Sequence, residues 1–296
     1  MNSSHFTHLL ALLQLSLAPL LPAIAQDTTK PFFDQFKSCV VLIEKIEGTL
    51  PDGAPKLAPL GTGFWVSTTT EDRFFVSNKH VFAGRDQIAI RMTQVTGQRS
   101  ALMIIDLKNQ RGQPRWVGHP DSLTDIAAIQ VDSIFILNNV QPKIIRIQRS
   151  LFATESQLIE GDDVFFIGFP LGVRTTDNSF PLLRSGVISL KPTDDFLVTA
   201  GCDTLGKHIY LLDAYSTGGS SGSPVFLKPG VNRPFLTPNV FDITETKFIG
   251  IVSGHVLDYQ EVFTLSGKGV AASNASLTIV HPAERVLETI LLLKKK

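Results

Sequence analysis

The chain has 296 residues, 43% of them hydrophobic and 18% charged, a globular composition that excludes disordered, collagen-like and coiled-coil classes. Lys+Arg and Asp+Glu both number 27, so no excess of positive charge points to nucleic acid or to an anionic membrane surface. The two cysteines, Cys39 and Cys202, lack CxxC spacing and cannot build a structural metal site. They are read as free buried thiols, and no metal or cofactor is expected.

At the N-terminus, Leu9 to Leu21 is apolar except for Gln14, Ser16 and Pro19, and Ala23-Ile24-Ala25 supplies a small-x-small cleavage pattern. Residues 1–25 therefore read as a signal peptide cut before Gln26, although no Lys or Arg precedes the apolar stretch. The stretch is shorter than the ~20 residues of a membrane span, so no membrane anchor is expected after cleavage. The product is expected in a bacterial periplasm or in the medium.

Short runs rich in Val, Ile and Phe follow, punctuated by Gly, Pro, Asp and Asn: Cys39 to Ile46, Gly63 to Ser67, Phe74 to Ser77, Gln87 to Met92 and Ile126 to Val131. After Ser150 to Gly161, read as a linker, come Val164 to Gly168, Ser185 to Leu190, Ile209 to Ala214, Pro224 to Leu227 and Phe248 to Ser253. Four to eight residues of this composition between turn signals indicate strands of a sandwich or barrel, not βαβ units. The mature chain divides into 26–150 and 151–296. A helical turn is expected at His80 to Gly84, a long surface loop from Lys228 to Lys247, and a helix at Pro282 to Leu293 with Val286, Ile290 and Leu293 on one face.

Acyl transfer needs a nucleophile, a base, a group that orients the base, and donors for the oxyanion. Gly218-Gly219-Ser220-Ser221-Gly222-Ser223-Pro224 places a serine pair among glycines, whose torsional freedom lets successive N–H groups converge. Ser221 is the candidate nucleophile, with its own N–H and that of Gly219 as the oxyanion hole. His80, delivered by the strand Phe74 to Ser77 and a polar turn, is the candidate base. Asp125, before the apolar Ile126-Ala127-Ala128-Ile129, is the candidate orienting carboxylate.

The order His, Asp, Ser resembles the chymotrypsin-like serine peptidase superfamily, with closest likeness to its bacterial HtrA-type and glutamyl-endopeptidase-type branches. Gly61-Thr62-Gly63-Phe64, His119-Pro120 before Asp125, Ile167-Gly168-Phe169-Pro170, Ser185-Gly186-Val187-Ile188-Ser189, Asp213-Ala214 and Gly250-Ile251-Val252-Ser253 carry the resemblance over nearly all of the mature chain. It implies an all-β fold of two six-stranded antiparallel Greek-key barrels with a C-terminal α-helix, polypeptide substrates and peptide-bond hydrolysis. It also implies a specificity pocket with Tyr215 and Ser216 at its base, and Ser253-Gly254-His255 as a wall that pairs with substrate. Tyr215 filling the pocket favours small or apolar residues, and His255 leaves an acidic preference open. Ser220 stands where zymogen-type members carry an aspartate, so activation by an ion pair with a new N-terminus is not expected. No PDZ-like segment is read after the helix, so a monomer is favoured over the HtrA cage.

The sequence admits two rival readings. Gly218 to Gly222 also fits G-x-S-x-G with Ser220 as nucleophile and Asp258 and His281 as partners, but that elbow requires a helix after the turn, where Pro224-Val225-Phe226 reads as strand. A catalytically inactive relative serving as a binding module is the stronger alternative, since fold does not imply function.

Overall fold

Runs of branched and aromatic residues form strands here because the pleated surface they make is buried on both faces. In the computed structural model, residues 33–69, 72–93, 100–130, 146–174, 180–191, 198–200, 203–205, 208–229, 246–264 and 267–294 are described. The expected signal peptide, Cys202 and most of the expected loop at 228–247 lie outside them.

The first sheet holds β1 (Val40–Thr49), β2 (Pro55–Ser67), β3 (Phe74–Ser77), β4 (Gln87–Thr93), β5 (Ser100–Asp106), β6 (Trp116–Gly118), β7 (Ala127–Gln130) and β8 (Ile147–Gln148). They run in the order β5-β4-β1-β2-β3-β7-β6, with the short β8 parallel to β2. The two ends of this path approach through the turn between β5 and β6, where Lys108 bridges Pro114 and Arg115 N–H donates to Leu107 O at 2.9 Å.

The second is a closed barrel of β9 (Asp163–Gly168), β10 (Leu182–Leu190), β13 (Tyr210–Asp213), β14 (Pro224–Leu227), β15 (Lys247–Thr264) and β16 (Gly267–Pro282), closing as β10-β13-β16-β15-β14-β9. A separate pair, β11 (Val198–Ala200) and β12 (Asp203–Leu205), lies outside it. Two short helices, α1 (Asp34–Lys37) and α2 (Lys79–Phe82), and the C-terminal α3 (Ala283–Leu293) complete the fold. The expected all-β, chymotrypsin-like chain with a C-terminal helix is borne out, with eight strands in the first sheet where six are expected.

Alternation along the strands makes three main cores, beside a small cluster of Ile209, Leu211, Val256 and Ile279. Val41, Ile43, Trp65 and Phe75 fill the first sheet's concave side. Val164, Phe166, Leu212 and Val252 fill the second barrel. The intervening residues Leu42, Phe64, Val76, Phe165, Ile167 and Phe248 meet in a third core that joins the two, and Val286 and Ile290 of α3 pack into it. Burial of so many large side chains, at ~2 kcal/mol each, makes the seam between the two sheets rigid. The run Ser150 to Gly161 is not bare linker: it forms 3-10 turns at Arg149–Leu151 and Glu155–Gln157, and Phe152 and Leu158 are buried.

Beyond Ser253 the hairpin of β15 and β16 continues to Thr264 and Gly267, far past the expected strand end. Its distal half exposes Tyr259, Val262, Phe263 and Val270. No described helix is long and apolar enough to cross a membrane.

Candidate functional site

β3 ends at Ser77, whose hydroxyl donates to Thr62 O at 2.7 Å, and the chain turns through the buried Asn78 into α2. The Asn78 amide donates to Asp125 O at 2.6 Å, tying the start of the turn to the loop before β7. This brings His80 onto Asp125: the His80 backbone N–H donates to Oδ1 at 3.2 Å, and Nδ1 lies 2.5 Å from Oδ2. In the tautomer that directs its Nδ1 proton at the carboxylate, the ring carries its free lone pair on Nε2. The His80 side chain is half-exposed and that of Asp125 mostly buried.

Two further groups hold Asp125. Its N–H donates to Nε2 of His281 at 3.0 Å, and the Ser253 hydroxyl donates to Oδ2 at 3.4 Å. His281 is buried, and burial lowers its pKa to about 4, so the ring is a neutral acceptor at Nε2. The loop preceding Asp125 is pinned as well. Asp121 caps Leu123 N–H, Lys79 Nζ donates to Asp121 O at 2.7 Å, and His119 Nε2 lies 2.8 Å from Glu288 of α3. Burial lowers the Lys79 pKa, opposed by Asp125 and Asp121.

Ser221 sits in the turn between β13 and β14. Its hydroxyl donates to Ser253 O at 3.2 Å, so Ser253 touches Asp125 through its hydroxyl and Ser221 through its carbonyl. Among the described residues, no hydrogen bond joins Ser221 to His80. Gly219 and Gly222 adopt φ of +89° and +88°, the left-handed region open to glycine. A Cβ at Gly222 would collide with Thr62 O, and one at Gly219 with Phe169 O. The N–H groups of Gly219 and Ser221 donate to no acceptor among the described residues.

Beside Ser221 a cavity of about 260 Å³ is lined by Ser216, Thr217, Val252, Gly254, His255 and Leu257, among others. Burial lowers the His255 pKa, which favours a neutral ring. Tyr215 is not part of the lining: it is half-exposed, with Arg184 5.5 Å above its ring and donating to its carbonyl. Ser216 is held from behind by the Asn274 amide, which donates to Ser216 O at 2.5 Å.

The structure therefore gathers His80, Asp125, Ser221, Gly219, Ser253, Gly254, His255 and Ser216, and turns Tyr215 outward. Thr62, Leu171, Asn274 and His281 also reach the site, and sequence reasoning did not single out these roles. Only Thr62 carried a local signal, from its place between Gly61 and Gly63. The hydrolase-elbow alternative fails: β14 follows the turn, Ser220 accepts from Thr217 N–H, and Asp258 bonds Gln260 in the distal hairpin.

Among solved structures, the chain is similar to the MamO protease domain from Magnetospirillum magneticum in its apo form. That match has 16% identity and a TM-score of 0.48, covering 86% of this chain and 97% of that one. It is similar also to Rv3671c from M. tuberculosis H37Rv, solved as a serine-to-alanine mutant in an inactive form, with 16% identity and a TM-score of 0.48 over 90% of this chain and 91% of that one. No curated protein matches the chain. A family model of the trypsin-like peptidase domain matches residues 61–231, more than half the chain and inclusive of His80, Asp125 and Ser221, and the chain belongs to that family.

Proposed function

We propose that the chain is an exported serine endopeptidase that cleaves peptide bonds through an acyl-enzyme on Ser221. The observation that carries this reading is the contact of His80 Nδ1 with Asp125 Oδ2, made between residues 45 positions apart on the side of the site where Ser221 stands. His80 Nε2 takes the Ser221 proton as Oγ attacks the carbonyl carbon, then gives it to the leaving amine, and water repeats the cycle on the ester. Asp125 keeps the proton on Nδ1 and stabilises the imidazolium. The N–H groups of Gly219 and Ser221 receive the oxyanion. Ser253-Gly254-His255 pairs with the extended substrate.

Val252 and Leu257 in the cavity wall, with a neutral His255, support small or medium apolar residues before the scissile bond, since no fixed positive charge awaits a carboxylate. A mixed peptide library tests this: selective cleavage after Glu overturns it.

One observation favours the second reading, an inactive binding module: the Ser221 hydroxyl bonds Ser253 O in place of His80. Rotation about one torsion would redirect Oγ, and catalytic hydrogen bonds are often unmade without substrate. A fluorophosphonate probe decides between the two. The active reading expects labelling of wild type and none of Ser221→Ala; no labelling of folded wild type overturns it.

A further inference from the structure

Between Ala214 and Pro224 the only ionisable side chain is Tyr215, which turns outward, so no charge orders the oxyanion loop from within. Its order comes from its carbonyls. A trans peptide is planar, so the direction of each C=O fixes the opposite direction of the N–H in the same plane.

The peptide that carries the Gly219 N–H has Gly218 O at its other side, and this accepts from Leu171 N–H at 2.7 Å. The next carbonyl, Gly219 O, accepts from the Thr62 hydroxyl at 2.8 Å. Ser220 O, which shares a plane with the Ser221 N–H, accepts from Ser223 N–H at 3.0 Å. Ser221 O accepts from the Thr62 backbone N–H at 2.8 Å. Four consecutive carbonyls are thus each held by a donor. The N–H groups between them are either bonded, that of Ser220 to Thr217 O inside the turn and that of Gly222 to Val252 O of β15, or have no acceptor among the described residues, as those of Gly219 and Ser221.

Thr62 is the hub of this arrangement. It holds Gly219 O and Ser221 O, which lie in the planes of the Ser220 and Gly222 N–H groups, so it fixes the two peptides that flank the one carrying the Ser221 N–H. Its Oγ1 also accepts from Phe169 N–H at 3.0 Å, which places the turn that delivers Leu171 to Gly218 O. That turn is strained: Leu171 sits at φ +56° with its side chain largely exposed, so no packing of the leucine rewards the left-handed backbone. It persists because its neighbours are fixed. Gly172 lies against Pro59, where a Cβ would collide, and Arg174 pairs at 3.2 Å with the buried Glu44 of β1.

We infer that Thr62 is a positioning residue that holds the oxyanion hole open without any ion pair, with Leu171 as its second contact on the loop. This rests on the peptidase reading above. It makes the hole a product of docking between the two sheets, since Thr62 belongs to β2 and the loop to the second barrel.

The test compares wild type, Thr62→Val and Thr62→Ser on a chromogenic peptide, with fluorophosphonate labelling in parallel and folding checked by circular dichroism. Thr62→Val keeps the volume and the backbone donor but leaves Gly219 O and Phe169 N–H unpaired. We expect kcat to fall ~10²-fold with KM changed less than about threefold, and labelling to slow equally, as for a misdirected oxyanion donor. Thr62→Ser restores the hydroxyl and is expected within about threefold of wild type. If Thr62→Val does not fold, Thr62→Cys, whose thiol donates weakly, takes its place and falls between the two. Wild-type kcat in the Val or Cys variant overturns the inference, as does a Ser variant as impaired as Val, which would assign the effect to packing. An unlabelled wild type with the correct fold overturns the peptidase reading and this inference with it.

Discussion

Replacing His281 by glutamine removes a titrating ring from behind Asp125 while leaving a side-chain acceptor near the position of Nε2. The wild-type imidazole is depressed from 6.5 to about 4, chiefly by burial, with His119 and Lys79 adding to the depression and Asp125 and Asp121 opposing it. Between those two values the unfolded chain binds a proton that the folded chain refuses, so stability is lost as pH falls through that window. At about 1.4 kcal/mol per pH unit the full cost is roughly 3 kcal/mol, of which about 2 kcal/mol is incurred by pH 4.5. Asp121 and Glu288 carry carboxyls that burial would raise but hydrogen bonds hold below the usual range. Both groups are present in both proteins and cancel in the difference. Urea unfolding followed by fluorescence of Trp65 and Trp116 at pH 7, 5.5 and 4.5 measures it. Wild type should lose about 2 kcal/mol more than His281→Gln over that range. Equal pH slopes would refute the assignment of a neutral, buried His281.

Asp125→Asn should preserve the fold and lower kcat about 10⁴-fold at neutral pH, because an amide no longer selects the Nδ1-protonated tautomer of His80; hydrolysis of a chromogenic peptide reads this directly. Gly219→Ala forces a side chain into φ +89° and against Phe169 O, so both the unfolding free energy in urea and the fluorophosphonate labelling rate should drop, the first by at least the ~1–2 kcal/mol of a left-handed residue. The Cys39 thiol is buried and pushed up to about 12, so iodoacetamide at pH 8 should leave the Cys39 peptide unmodified until denaturant is added.

What could be read from the sequence was whatever the chain encodes locally. Val, Ile and Phe runs mark strands because burial on both faces leaves no room for polar residues, and β14 matches its expected span, Pro224 to Leu227. The helix at Ala283–Leu293 announces itself by Val286 and Ile290 at helical spacing, which the third core then buries. The distal hairpin does not announce itself. From Leu257 to Asn274 it packs on no core, so residues such as Gln260, Glu261, Lys268 and Ala271 follow no inward-facing alternation for a reader to find. His80, Asp125 and Ser221 could be found because each sits in its own recognisable turn.

The residues that hold those three are of another kind. His281 is one residue of an apolar strand end, and nothing within ten residues of it indicates that its ring meets the Asp125 N–H 156 positions earlier. Asn274 reaches Ser216 across 58 positions, and Thr62 reaches Gly219 across 157. Each is a short polar side chain whose role depends on how two sheets dock, and docking is decided by the large apolar surfaces of the third core, not by the polar residue itself. A turn motif can therefore be recognised before the fold is known. Its orientation becomes visible only once Leu42, Phe64, Phe165 and Phe248 have brought the two sheets together.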